Sequence, residues 1–185
     1  RTQKLEEQRQ QHQSPVWIAL NNLTSVERAT MALEIAKSTA AIHGFQDGVI
    51  VHGDFHTEQF LRNEYGQLKM NDFNNAMILN YNIDTQSYCP TIHEYVGTFH
   101  ALEEHEGYRL ADERIDIFAY GCTLYSILTG LNPHWEDTRS QRMEDIQSGL
   151  LPSINFCYHG TNLRMDHPIE ARLVEIMEQC LNGDL

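Results

Sequence analysis

Val49–Ala76, VIVHGDFHTEQFLRNEYGQLKMNDFNNA, constrains the chain most, because it reads as a loop, a hairpin and a second loop. Val49-Ile50-Val51 is a β-branched run of the kind that suits a buried strand. His52-Gly53-Asp54 leaves that run. Phe60-Leu61 is a second short apolar piece. Glu64-Tyr65-Gly66-Gln67 is a turn, since Gly66 can take a positive φ at no steric cost. Leu68-Lys69-Met70 then leads into Asn71-Asp72-Phe73. The layout brings Asp54 and Asp72 near one another in space, in different settings, although they lie far apart in sequence.

With those residues set out, the stretch resembles the catalytic core of a protein kinase. That family carries H-R-D-x-x-x-x-N, a hairpin, and D-F-G. The corresponding residues here are His52-Gly53-Asp54, Gln59 and Asp72-Phe73-Asn74. The spacing matches and three identities differ. Ala101-Leu102-Glu103 is similar to the family's A-P-E, and the Asp116–Gly121 run DIFAYG is similar to its D-x-W-S-x-G. Four matched pieces in order are a far more specific signal than any one of them.

The resemblance implies a fold that is mainly α with a small β-hairpin region, a protein kinase-like fold of which residues 1–185 are the carboxy-terminal lobe only. No G-x-G-x-x-G occurs, and none of the lysines (Lys4, Lys37, Lys69) lies in a V-A-I-K context. The amino-terminal lobe is therefore expected to be absent. At the other end the chain stops at Leu185, before the arginine that pairs with the family's A-P-E glutamate. The full-length protein is expected to use ATP and Mg²⁺ to phosphorylate Ser, Thr or Tyr hydroxyls of a protein substrate. The lobe alone is expected to be inactive, because it lacks the elements that hold the α- and β-phosphates.

Phosphoryl transfer needs positioning of the hydroxyl and cations against the phosphate oxygens. The resemblance gives Asp54 the first task, as the carboxylate that orients the attacking hydroxyl. Asp72 is the implied magnesium ligand, since Mg²⁺ prefers hard oxygen donors. Gln59 stands where the second metal ligand, an Asn, is expected; its amide oxygen can bind the ion from a side chain one methylene longer. His56 stands where many relatives steady the γ-phosphate with Lys. Charged, it could do the same; neutral, it would donate one hydrogen bond. Leu61 should face the adenine from below. His52 and Phe73 should stack in the core beneath the site, and Asp116 should hydrogen-bond the catalytic-loop backbone. Glu103 would seek the missing arginine. Gly53 replaces an arginine that reads activation-loop phosphate, so no such ordering is expected through residue 53. Asn74 replaces the D-F-G glycine and is expected to tolerate its left-handed turn.

The substitutions at Gly53, Gln59, Asn74 and Leu102 keep a pseudokinase open, a nucleotide-binding or scaffold module. H-G-D-x-H is also similar to the loop of aminoglycoside and choline phosphotransferases. The net charge of −13 argues against nucleic-acid binding, which needs clustered Lys and Arg. The four cysteines form no C-x-x-C, which points away from zinc and toward a reducing, intracellular (cytoplasmic) setting. His52 with His56, and His100 with His105, fall short of the three converging ligands that zinc needs. No apolar run approaches the ~18 residues of a membrane helix.

Around the core stretch, Thr24 and Glu27 form a capping box that should open a helix closed by Gly44. Val26, Ala29, Leu33, Ala36 and Ala40 are its expected apolar stripe, widened by Met31, Ile35 and Ile42. Asp116–Gly130 should be a buried helix, Trp135–Ser148 a shorter exposed one, and Pro168–Gly183 the last. Arg1–Gln13 reads as a solvated helix or a frayed end, and Val16–Leu20 as an apolar piece docking on the lobe. Asn74–Gly97 reads as an irregular activation segment, long enough to be functional.

Overall fold

Helix α1 (Ser25–His43) starts where the sequence places it. The Thr24 hydroxyl accepts from the Glu27 amide (3.2 Å), and the Glu27 carboxylate accepts from the Thr24 amide (2.7 Å). These bonds satisfy donors that a helix start leaves open. In this computed structural model, which describes residues 21–46, 48–93, 97–105, 110–135, 137–152 and 163–183, α1 buries only part of the expected stripe: Ile35 lies in the core and Ala29 and Met31 pack against it. Val26 and Leu33 are 65% and 55% exposed. The inward face is Arg28, Ala32, Ile35 and Thr39. Two polar residues can turn inward because each has a partner. Arg28 pairs with Glu170 at 2.5 Å, and the Thr39 hydroxyl donates to the Ile35 carbonyl at 3.1 Å. Gly44 ends the helix at φ −90°, its amide donating to the Ala40 and Ile42 carbonyls.

Strands β1 (Val49–Val51), β2 (Phe60–Arg62), β3 (Leu68–Met70) and β4 (Met77–Leu79) follow. β2 and β3 form the expected hairpin, with Phe60 opposite Met70 and Gly66 in the turn at φ 75°. β4 returns antiparallel to β1, Val49 opposite Leu79 and Val51 opposite Met77. This pairing ties the loop at 52–59 and the loop at 71–76 at both ends, so the two must lie side by side.

β4 also corrects the expectation of irregular chain from Asn74 onward. Leu79, Val49 and Val51 are buried in a small core with Ala101, Ala111 and Ile115. Beyond it, β5 (Tyr81–Asn82) pairs with β6 (Ser87–Tyr88), the Tyr81 and Tyr88 rings meeting edge to face at 5.2 Å. β7 (Thr91–Ile92) pairs with β8 (Leu110–Ala111), with the one-turn helix α2 (Leu102–His105) between them.

Helix α3 (Arg114–Thr129) is buried on most faces, and Gly130 ends it in the left-handed conformation. Helix α4 (Arg139–Gln147) starts later than expected, because the Thr138–Gln141 capping box sets its first turn. Helix α5 (Pro168–Asn182) carries Pro168 in its first turn and packs along α3. α1 lies against both, around Ile35, Phe55, Tyr125, Leu128, Leu173 and Met177. Among the described residues no helix is long and apolar enough to cross a membrane. The readings of Arg1–Gln13 and Val16–Leu20, and part of that of Asn74–Gly97, fall outside the described residues.

Candidate active site

Asp116, 1% exposed in the first turn of α3, fixes the start of the first loop. Its carboxylate accepts from the His52 amide (2.7 Å) and the Gly53 amide (3.1 Å), and His43 Nε2 lies 3.0 Å away. A carboxylate taken out of water needs such donors. The buried His52 ring then ties the two loops together. Its Nδ1 accepts from the Asp54 amide (3.4 Å), which assigns the proton to Nε2, 2.9 Å from the Asn71 carbonyl. Phe73 touches the same ring at 5.1 Å but is 45% exposed. It covers His52 from the surface rather than stacking in the core, because the short 3-10 turn Phe73–Asn75 runs along the outside.

Gly53 takes φ 73°, which favours glycine. A Cβ there would lie 2.7 Å from the Asn75 carbonyl oxygen and 2.9 Å from His93 Nε2. Where the kinase pattern carries an arginine, the space is filled from outside by His93. His93 is held in turn by Glu104, whose carboxylate is 3.0 Å from His93 Nδ1 and accepts from the Ala101 amide at 2.7 Å. Burial pushes the Glu104 carboxyl up, with those two bonds acting against it. Glu104, at 3% exposed, is the buried acid of this stretch. Glu103 beside it is only partly covered and adds a weaker attraction to Arg114.

Asp54 stands where the loops meet, its side chain 18% exposed. Oδ2 accepts from the Gln59 side-chain amide (3.2 Å) and lies 3.5 Å from the Asn75 side-chain nitrogen Nδ2. Oδ1 faces two imidazoles, His56 Nε2 at 3.6 Å and His100 Nε2 at 4.0 Å. Gln59 is buried, and the hydrogen-bond pattern turns its NH₂ toward Asp54 and His56, not its oxygen toward a cation.

Asp72 carries the left-handed turn (φ 58°, ψ 70°) that was expected at Asn74, which lies inside the 3-10 turn. Asp tolerates this conformation as Asn does. The Asp72 side chain is exposed and takes no hydrogen bond from the turn it opens. Leu61, opposite Lys69 on β2, is 54% exposed. The structure thus gathers Asp54, His56 and Gln59 in one cluster, sets Asp72 on the neighbouring loop, and leaves Leu61 on an open strand face. Asn75, His93, Glu104 and, as a neighbour of Asp54, His100 are additions that the sequence did not single out.

The family model described as "Protein kinase domain" matches residues 8–185. The chain belongs to the protein kinase domain family. It is 32% identical over 119 residues to a probable serine/threonine-protein kinase nek2 of Dictyostelium discoideum, covering 63% of this chain and 27% of that protein. It is 29% identical over 157 residues to the serine/threonine-protein kinase STY17 of Arabidopsis thaliana, covering 83% of this chain and 24% of that one. The chain therefore spans about a quarter of the length of these relatives. Among solved structures, "Titin kinase and its flanking domains" matches with a TM-score of 0.65 at 16% identity, over 94% of this chain and 28% of that one. That likeness is one of fold. As a kinase domain the molecule is mainly helical, with small two-stranded sheets framing its loops.

Proposed function

We propose that the full-length protein is an ATP- and Mg²⁺-dependent kinase that phosphorylates serine or threonine hydroxyls of a protein substrate, and that this chain is the carboxy-terminal lobe of its catalytic domain. Family membership supports the reaction class, and the likeness to serine/threonine-protein kinases supports Ser/Thr over Tyr. The observation that carries the reading is the state of Asp54. One carboxylate oxygen is engaged by side-chain amides, and the other faces the two imidazoles. With ATP bound, Asp54 Oδ1 would accept the acceptor hydroxyl's hydrogen bond, orient it and take its proton as the hydroxyl oxygen's bond to the γ-phosphorus forms and the bond from that phosphorus to the departing ADP breaks. His56, on the more open side of Oδ1, steadies the phosphoryl oxygens. Leu61 offers the adenine an exposed apolar surface.

The residues fit magnesium at one position. Asp72 offers a hard, exposed carboxylate, and bound Mg²⁺ would neutralise charge on the phosphates. Gln59 would join it only by turning its amide over and giving up the bond to Asp54. The test is phosphate incorporation by the full-length protein with ATP and Mg²⁺. Asp72→Asn should abolish transfer, and Asp54→Ala should lower kcat on the order of 10²- to 10⁴-fold. An unchanged rate in either variant removes that residue from the mechanism.

One observation favours a second reading, a nucleotide-binding scaffold. The buried Gln59 presents NH₂ where a metal ligand would present oxygen. Nucleotide binding without any phosphate transfer would select it.

A further inference from the structure

His100 belongs to the segment between β7 and α2, yet its ring reaches the first loop. It closes a turn with Gly97, its amide donating to the Gly97 carbonyl at 3.4 Å. A Cβ at Gly97 would lie 2.7 Å from His100 Nδ1, so a glycine leaves room for the imidazole. From behind, His105 Nε2 lies 3.2 Å from the His100 carbonyl and holds the backbone. The ring is buried with Nε2 4.0 Å from Asp54 Oδ1. His56 approaches the same oxygen, but its side chain is 23% exposed against 9% for His100. Oδ1 is thus flanked by a half-open imidazole, His56, and a buried one, His100.

We propose that His100 is a positioning residue for Asp54, holding Oδ1 toward the incoming hydroxyl; the inference rests on the kinase reading above. Burial pushes the His100 imidazole down to about 4, against the pull of Asp54, so it is neutral near pH 7. A neutral donor suits the task. It orients the carboxylate by its N–H dipole without cancelling the charge that makes Asp54 a base, whereas a Lys or Arg would weaken that base. The 4.0 Å separation is a contact rather than a hydrogen bond, of the kind that catalytic pairs often show without substrate.

Steady-state kinetics of the full-length protein test this with two substitutions. His100→Leu fills similar space without a donor, whereas His100→Gln can place an N–H near the position of Nε2. His100→Leu should lower kcat by about 10- to 100-fold, as sub-ångström misplacement does, with KM for ATP and peptide changed by less than about twofold. His100→Gln should recover most of kcat. Equal losses in the two variants, or a raised KM at unchanged kcat, would overturn the assignment. A second measurement does not depend on turnover. In full-length protein with ¹⁵N-labelled histidine at pH 7, Asp54→Asn should shift the His100 ring resonances, and unmoved resonances would overturn the contact. If the wild-type protein transfers no phosphate, the kinase reading and the positioning role fail together, and the ring resonances decide only whether His100 contacts Asp54.

Discussion

Gly53 and His93 share one space, and that contact carries a prediction about single residues. The left-handed backbone at Gly53 costs an L side chain about 1–2 kcal/mol. The Cβ of an alanine would in addition meet the Asn75 carbonyl and the His93 ring. Gly53→Ala should therefore destabilise the protein by more than the backbone term alone. Adding His93→Ala should return part of the loss, read by denaturant unfolding of the single and double variants. That the loops carrying Asp54 and Asp72 come together was legible in the sequence, because one hairpin joins them. Asn75, His93, His100 and Glu104 were not, because each acts across the loop crossing and none carries a local pattern. Sequence alone could register the arginine missing at 53; the imidazole in its place comes from 40 positions further on.

Among the elements, α1 shows how local signals set the ends of a helix while periodicity finds only part of its buried face, Ile35 with Ala29 and Met31 beside it. Caps are written within a few neighbouring residues, so Thr24, Glu27 and Gly44 set both ends. Which side is buried depends on Glu170, whose carboxylate accepts from the Ser25 hydroxyl, the Arg28 guanidinium and the Arg164 amide. No hydropathy scale turns an arginine inward for a partner in α5. A buried pair is costly to break, because the survivor keeps its charge without compensation. Arg28→Met should cost about 3–5 kcal/mol in urea unfolding, while Arg28→Met with Glu170→Leu should cost far less. Comparable losses in the single and double variants would mean that α1 is held by its apolar contacts instead. The strand β4 was missed for a related reason: Met77-Ile78-Leu79 becomes a strand through its partner β1, not through its own alternation.

At the scale of the whole molecule, stability should depend on acid through its buried histidines. The His100 pKa falls from an ordinary 6.5 to about 4 through burial. Below pH 6.5 the unfolded chain takes up a proton that the folded ring refuses. The contribution is complete above 6.5 and is lost as pH falls toward 4, roughly 3 kcal/mol for this one group. Burial also lowers His105 and His134, with the same sign. Glu104 acts the other way: its raised carboxyl binds a proton more tightly in the folded state, so it returns stability as pH falls through the carboxylate range. The lowered carboxyls of Asp112 and Glu170 act in the same direction as the histidines, so lower stability is expected at pH 5 than at pH 7.5 in urea titrations. His100→Gln should flatten that difference, and an equal slope in the variant would remove His100 from it.

The Arg28–Glu170 pair also sets a clock on synthesis. The two residues are 142 positions apart, and a ribosome adding about 5–20 residues per second needs roughly 7–30 s to make the second after the first. For that interval α1 has no carboxylate for its inward guanidinium, and α5, against which it packs, is still incomplete. Helix α1 must therefore wait for α5, so the nascent chain offers chaperones a half-built core until α5 has cleared the exit tunnel.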